Sequence, residues 1–517
     1  MGAFDVPRPL IPDLIAQHGR WNPDKPALLC GERRLSWREF DRSTNQVANG
    51  LGALGLTPGA RLAVLMANGV EMAQALFGCG KAGVSVVPLN TSVSDAAIGA
   101  MIADSGALAI AASGDHCAKI DALVASGALP RSVLRLAVGC APEGWVEFTA
   151  WRDAQSAAAP AAVVTPDTEC NIIYSSGTTA LPKGIVHTHG CRMHWATDLG
   201  LALRYHSGAV TLCSLGLYSN ISWAAMLATI LMGGTIVVMP AFSAAALLEQ
   251  VERHRVTHGG FVPVQFQRLL EHPDLAIRDV GSLQTIMCCG SPLPPDLKRA
   301  TRDRLDCELI ELYGLTEGII TTLAPEDFDR KIESVGKPIP GQHLKLVGGD
   351  DRESAPGEPG EIVGYGRLVM EHYHNRPDAT SEATWTDTDG RRWLRTGDIG
   401  RFDGEGFLYI VDRKKDMILS GGQNVYPADI EAVMQGHSDV AEVAVIGVPS
   451  EQWGEVPLAV VVPRAGSSVD AAALLAWTNA RVGKQQRVSR IVLRDSLPRN
   501  PNGKILKREL RAEYVSA

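Results

Sequence analysis

Apolar positions recur along this chain in two periods, and the switching between them predicts its elements. Residues 27–30 and 35–37 are short apolar runs either side of Gly31-Glu32, which predicts a hairpin. From Trp37 to Leu54 apolar residues fall three and four apart, which predicts an amphipathic helix stopped near Gly55. Pro58-Gly59 then turn the chain into a strand at 61–66, followed by a helix at 70–81 and a strand at 84–89. Further on, the pattern predicts a helix at 244–254, a strand at 258–262, a helix from 263 to 271, and strands at 285–289 and 308–313. Alternation of this kind predicts parallel sheet covered by helices. The last two strands open into Gly290-Ser291-Pro292 and Gly314-Leu315-Thr316-Glu317. Strand ends of that sort are where open α/β sheets bind ligands.

One run breaks the alternation. Between Tyr205 and Leu248 there is no Asp, Glu, Lys or Arg, and residues 223–239 are long and apolar. Gly233-Gly234 interrupt the run, and 235–239 is β-branched-rich and ends at Pro240. A buried helix, a glycine turn and a buried strand are expected there rather than a membrane span. Across 330–411 Gly and Pro become dense, and the short runs 361–365 and 407–411 predict a small β-subdomain. The charged run Asp412-Arg413-Lys414-Lys415-Asp416 precedes a tail with a helix at 428–435, strands at 443–448 and 458–462, and a basic segment around Gly503-Lys504. The expected fold is α/β. A large N-terminal domain, residues 1–412, layers sheets with helices and carries the β-subdomain; a small α+β C-terminal domain spans 413–517.

Composition narrows the function. At 517 residues the chain is too long for one core. A net charge of −8 argues against a nucleic-acid partner. Of ten cysteines the only close pair is Cys288-Cys289, which lacks zinc or C-x-x-C spacing. Reduced thiols and a cytoplasmic location are expected. The first residues have no basic stretch leading into an apolar run, and Tyr514-Val515-Ser516-Ala517 is no lipidation signal. No stable membrane insertion is expected, and a homodimer is compatible with all of this.

The most chemically loaded stretch is 174–184, Y-S-S-G-T-T-A-L-P-K-G. It offers clustered hydroxyls, backbone N–H groups and one cation, which suit a polyphosphate. It is not a Walker loop, because Pro182 and Gly184 stand where the second glycine and the Ser/Thr would be. Alone it reads equally well as a polar surface turn.

Four further segments change that balance: Y-G-L-T-E at 313–317, T-G-D at 396–398, D-R-K-K-D at 412–416 and P-N-G-K at 501–504. Together with the loop, in this order, they resemble the acyl-adenylate-forming superfamily, carboxylic acid–CoA ligases among them. The resemblance implies a two-step reaction. A carboxylate attacks the α-phosphate of ATP to give an acyl-AMP and pyrophosphate, and a thiol then displaces AMP. It implies ATP, Mg²⁺ and coenzyme A as partners of a small carboxylic acid. By the same resemblance Ser175, Ser176, Gly177, Thr178, Thr179 and Lys183 hold the β- and γ-phosphates. Thr316 binds the α-phosphate and Glu317 helps hold Mg²⁺. Gly290, Ser291, Pro292, Tyr313 and Gly314 surround the adenine. Asp398 accepts the ribose hydroxyls, with Arg413 nearby. Lys504 is the catalytic cation, bridging carboxylate and α-phosphate. Lys415 is the hinge of a mobile C-terminal domain, and Ser420, Gly421 and Gly422 line the pantetheine tunnel. Ala180 departs from the pattern, where glycine is more usual.

The acid is less determined. Its pocket is expected from Tyr218, Ser219, Asn220, Trp223, Val262, Gln265, Leu312 and Leu315. Tyr218-Ser219 replace an aromatic-His pair, and Leu312 replaces a glycine found in some aryl-acid ligases, so it should narrow the pocket. A medium-sized fatty, cyclic or aromatic acid is expected. With no carrier domain after Leu510, free coenzyme A is the expected acceptor; the alternative is a stand-alone ligase that loads a separate carrier protein.

Overall fold

The computed structural model describes residues 8–175, 182–420, 423–450, 452–467, 469–499 and 504–515. Two compact units emerge. The first comprises Met1–Ile332, Pro338–Gln342 and Tyr365–Thr384; the second comprises Glu333–Lys337, His343–Gly364 and Trp385–Ala517.

The first unit is built on two sheets. One runs in the order His372–Tyr373, Gly184–Thr188, Glu169–Tyr174, Ser85–Pro88, Arg61–Leu65, Ala109–Ser113, Leu134–Val138, Val146–Glu147. The other contains, in order, Ile320–Leu323, Glu308–Gly314, Thr285–Cys288, His258–Phe261, Val210–Cys213, Thr235–Val238, Pro26–Cys30 and Arg33–Ser36. The helices Trp37–Ala53, Val70–Ala82, His189–Ala202 and Asn220–Met232 share one large core with strands of both sheets, around Trp37, Phe77, Trp195 and Trp223. Burying a core of large apolar side chains is the main favourable term in folding.

Local chemistry fixes the boundaries. Ser36 and Glu39 form a capping box that starts the helix Trp37–Ala53, the two bonds being 3.3 and 2.7 Å. The uncharged stretch folds as expected: helix Asn220–Met232, a left-handed Gly233 at φ 66°, and strand Thr235–Val238. A Cβ on Gly233 would meet the His18 ring at 2.7 Å, so both space and backbone demand glycine there. No helix among the described residues is long and apolar enough to cross a membrane.

The expectation of parallel sheet holds in the interior of both sheets, for example Arg61–Leu65 beside Ser85–Pro88 and His258–Phe261 beside Thr285–Cys288. It fails at the margins, and the failure is informative. Glu169–Tyr174 pairs antiparallel with Gly184–Thr188, and Glu308–Gly314 pairs antiparallel with Ile320–Leu323. Parallel neighbours need a crossover of a dozen or more residues, which the short connections after Tyr174 and Gly314 do not supply. Both motif-bearing loops therefore join the two strands of an antiparallel pair.

The second unit has two sheets of its own. In one, Gln342–Val347, Gly360–Gly366, Arg392–Phe402 and Thr384–Thr386 lie in that order, with Leu408–Arg413 paired to Arg392–Phe402. This is the glycine- and proline-rich β-subdomain. In the other, Gln423–Val425, Ile418–Ser420, Gly454–Pro463 and Val440–Ser450 lie in order, with Arg490–Leu493 paired to Gly454–Pro463. The helix Pro427–Gln435 packs Ile430 and Met434 into that sheet's core.

Candidate active site

The strand Glu169–Tyr174 leads into the phosphate-type loop and Gly184–Thr188 leaves it. The ladder closes at Tyr174 opposite Gly184, and the Ser175 N–H donates to the Lys183 carbonyl at 3.0 Å. The ends of the loop are thus fixed by backbone bonds. Ser176, Gly177, Thr178 and Thr179 lie outside the described residues, as do Gly421 and Gly422. The Lys183 ammonium sits over the Tyr373 ring, 4.7 Å from its centre. The Tyr373 hydroxyl in turn donates to Glu317 at 2.8 Å. A single tyrosine therefore joins the cation of one loop to the carboxylate of the other. Sequence reasoning passed over Tyr373, because its strand, His372–Tyr373, is only two residues long.

The loop after Glu308–Gly314 is a tight turn. Leu315 N–H donates to Ile319 at 3.1 Å and Gly318 N–H to Leu315 at 3.1 Å. Gly318 sits at φ +110°, and a Cβ there would overlap the Leu368 carbonyl at 1.9 Å. Only glycine fits. The Glu317 carbonyl accepts from Met370 N–H at 2.8 Å, so the segment 368–370 holds the turn from outside. A Cβ on Gly314 would meet the Ile319 carbonyl at 2.7 Å. Thr316 lies at the turn with its backbone against the buried His187 ring.

At the end of Thr285–Cys288, Gly290 takes φ +92°, and a Cβ there would meet Ile221 and Val262 at 3.4 and 3.5 Å. The Ser291 hydroxyl is buried and makes no hydrogen bond among the described residues. Tyr313 is half-buried on Glu308–Gly314, and Pro292 is exposed. The residues expected to form the acyl pocket differ in burial. Trp223, Val262 and Leu312 are buried, and Leu315 and Tyr218 half-buried. Ser219 caps the helix Asn220–Met232. Gln265 is not on the surface: it is 3% exposed, and its amide is taken up by Ser214 Oγ at 3.1 Å and Val262 N–H at 3.2 Å. Asn220 Oδ1 accepts from Arg192 at 2.9 Å.

The second unit gathers the remaining candidates. Asp398 and Arg413 face each other across the antiparallel pair of Arg392–Phe402 and Leu408–Arg413. Their ion pair is 2.7 Å, and Asp398 is only 3% exposed. Thr396 orients the turn: its hydroxyl donates to the Ile362 carbonyl at 2.8 Å and accepts from Asp398 N–H at 3.1 Å. Gly397 takes φ +72°, which lets its carbonyl accept from Lys414 N–H at 2.9 Å. Lys504 joins this cluster electrostatically. Burial, then the neighbouring Arg413 and Lys415 charges, pull its ammonium down to about 8, while Asp398 and Asp416 oppose the shift. Burial chiefly, helped by Arg413, also lowers Lys415. Arg511 donates to the Lys415 and Asp416 carbonyls at 2.8 and 2.9 Å, pinning the hinge candidate to the C-terminal helix Lys507–Val515. Ser420 is buried, opposite Gly454.

One unit thus carries a loop flanked by a cation and a carboxylate. The other carries a buried carboxylate among cations, one of them, Lys504, with its pKa lowered to about 8. The fold, together with the relatives below, places the chain among adenylate-forming ligases. The sequence model of the AMP-binding enzyme family matches residues 15–374, and that of the AMP-binding enzyme C-terminal domain matches 429–504. The chain belongs to the AMP-binding enzyme family. It is similar to a feruloyl-CoA synthase of Amycolatopsis sp, 36% identical over 96% of this chain and 98% of the relative. It is also similar to a fatty acid–acyl-carrier-protein ligase of Streptomyces coeruleorubidus, 33% identical over 96% and 95%. Among solved structures, o-succinylbenzoate CoA synthetase of Bacillus subtilis, in complex with its acyl-adenylate intermediate, superposes with a TM-score of 0.84. That pair is 29% identical over 96% and 97% of the two chains. The chain is an AMP-forming acid–thiol ligase: a carboxylic acid–CoA ligase that works through an acyl-AMP.

Proposed function

We propose that this ligase converts a medium-sized fatty, cyclic or aromatic acid to its CoA thioester, in the cytoplasm, with the residues assigned by the sequence acting as follows. A carboxylate is a poor acyl donor because oxide would have to leave. Attack by its oxygen on the α-phosphorus of ATP expels pyrophosphate and gives a mixed anhydride. The thiol sulfur then attacks the acyl carbon, and AMP leaves with the electron pair. Both steps move negative charge, so positioned donors and cations carry the catalysis.

The observation that carries this reading is the cluster of Asp398, Arg413 and Lys504 within one unit. A buried carboxylate suits a ribose diol, which offers two donors. A poised ammonium suits the approach of two anions, the acid and the α-phosphate. Lys183 and Ser175, with Ser176, Gly177, Thr178 and Thr179, retain the β- and γ-phosphates. The Gly290-Ser291-Pro292 turn and Tyr313-Gly314 receive the adenine. Lys415 serves as the hinge at the start of a mobile domain, 413–517, and Ser420, Gly421 and Gly422 admit the pantetheine arm.

For Mg²⁺ the residues fit. Among the described residues no three carboxylates or imidazoles cluster as a resident metal site would, whereas Glu317 is one carboxylate beside the phosphate-type loop. Mg²⁺ needs few protein carboxylates and takes phosphate and water oxygens for the rest. Bound there, it would neutralise phosphate charge.

The test is AMP release across short, medium, long, cyclic and aromatic acids, with free CoA and with a phosphopantetheinylated carrier protein as alternative thiols. Release that requires an acid and CoA supports the reading. Release with the carrier protein alone would replace it with a carrier-loading ligase, the activity named for the Streptomyces relative.

A further inference from the structure

The first unit holds a cation that the assignments above do not use. Arg192, on the helix His189–Ala202, is fully buried. No carboxylate lies against it among the described residues; the ionisable groups acting on it are the Cys170 and Cys191 thiols, both kept protonated by burial. The guanidinium lies over the rings of Trp195 and Trp223, 5.2 and 5.1 Å from their centres. It donates to Asn171 Oδ1 at 2.8 Å, Asn220 Oδ1 at 2.9 Å and His187 Nδ1 at 3.3 Å. Burying a charge without a counter-charge costs several kcal/mol, and a well-packed apolar group is often as stable or more so. Stability alone therefore does not account for Arg192.

Its partners show what it acts on. Asn171 and His187 face each other on the two strands that enter and leave the phosphate-type loop. Arginine only donates, so His187 Nδ1 must accept. Burial, with the adjacent Arg192 charge, keeps that ring neutral. A neutral imidazole accepting at Nδ1 carries its proton on Nε2. This Nε2 is buried without a hydrogen-bonded partner among the described residues, and the Thr316 backbone lies against the ring. A buried N–H is stabilised by a backbone carbonyl within its reach.

We propose that Arg192 is a positioning residue acting through His187. It holds the imidazole as the Nε2–H tautomer against the Thr316 carbonyl, so that the strand leaving one phosphate-binding loop sets the position of Thr316 and Glu317 in the other. The inference rests on the adenylation reading. It adds that the two loops are registered through a buried cation and a single histidine tautomer. Asparagine at 171 and at 220 completes the fork of acceptors that this cation requires.

The experiment measures the two half-reactions separately in wild type, Arg192→Met, His187→Leu and His187→Gln: acid-dependent ATP–pyrophosphate exchange, and thioester formation from supplied acyl-AMP and CoA. Arg192→Met and His187→Leu are expected to lose exchange by about 10–100-fold, as removal of an orienting partner typically does. Thioester formation should stay within about twofold. A glutamine amide can accept from Arg192 and donate to Thr316, so His187→Gln should keep most of the exchange activity. Equal loss of both half-reactions, an unaffected Arg192→Met, or His187→Gln as impaired as His187→Leu overturns the proposal. Absence of exchange in wild type would instead sink the adenylation reading. If a variant fails to fold, ¹⁵N spectra of the wild-type histidines decide, with His187→Gln identifying the signal. A proton on Nε2 and none on Nδ1 supports the proposal; an Nδ1–H or doubly protonated ring contradicts it.

Discussion

Lys504 is an ammonium held where its charge is disfavoured, by burial and by two neighbouring cations. Its pKa is lowered to about 8, so the cation is present below that pH and lost as pH rises through it. If the cation serves adenylation, kcat/KM for ATP in the exchange reaction falls above about pH 8, since that parameter reports the free enzyme. Lys504→Arg, whatever its absolute rate, should show no fall in that window, because a guanidinium stays charged. Thioester formation from supplied acyl-AMP should not share the wild-type fall, and a shared fall would separate the pKa from the chemistry. Leu312 makes a second prediction at this scale. It is buried on Glu308–Gly314 beside the expected pocket. Leu312→Gly should shift preference toward bulkier acids in an AMP-release panel; an unchanged profile discards the narrowing argument. Asp398, Glu317 and Lys504 were singled out in the sequence by the family motifs they stand in, T-G-D, Y-G-L-T-E and P-N-G-K, and not by their own character. Arg192, His187 and Tyr373 were not legible, since their roles come from partners far away in sequence, such as Asn220 for Arg192 and Glu317 for Tyr373.

At the scale of elements, the two loops of the first unit owe their shape to antiparallel pairs at sheet margins. The strands themselves were predictable from apolar runs. Their pairing direction was not, because it depends on which neighbour each strand meets; only the shortness of the connections hinted at it. The turn at Gly318 gives the sharpest test. A Cβ there would lie 1.9 Å from the Leu368 carbonyl, at a φ of +110° that L-residues rarely adopt. Gly318→Ala should destabilise the protein by about 1–3 kcal/mol, as overpacking against fixed backbone does. It should also cut exchange activity more than thioester formation, because Thr316 and Glu317 are carried on the same turn. Thermal unfolding and the two half-reaction assays read these effects. The Leu368 carbonyl has little freedom to move, since it already accepts from Trp195 Nε1 at 3.0 Å.

At the scale of the whole molecule, the candidate residues fall in two compact units. The first carries the phosphate-type loop with Glu317, and the second carries Asp398, Arg413 and Lys504. The sequence reading anticipated a large α/β part, a β-subdomain and an α+β tail from changes in composition and periodicity. It had no access to the ladder between Arg392–Phe402 and Leu408–Arg413 that draws Arg413 to Asp398. The identity of the acid stayed illegible for a related reason: its expected pocket draws on segments that share no motif, including 218–223, 262–265 and 312–315. The central claim is that the chain activates a carboxylate as an acyl-AMP before any thiol is involved. The most direct measurement is incorporation of labelled pyrophosphate into ATP, with and without an acid substrate and in the absence of CoA, in wild type and Lys504→Ala. The account predicts acid-dependent exchange in wild type, reduced at least about a hundredfold in Lys504→Ala, which still forms thioester from supplied acyl-AMP. Exchange that requires CoA, or that survives in Lys504→Ala at the wild-type rate, would contradict it.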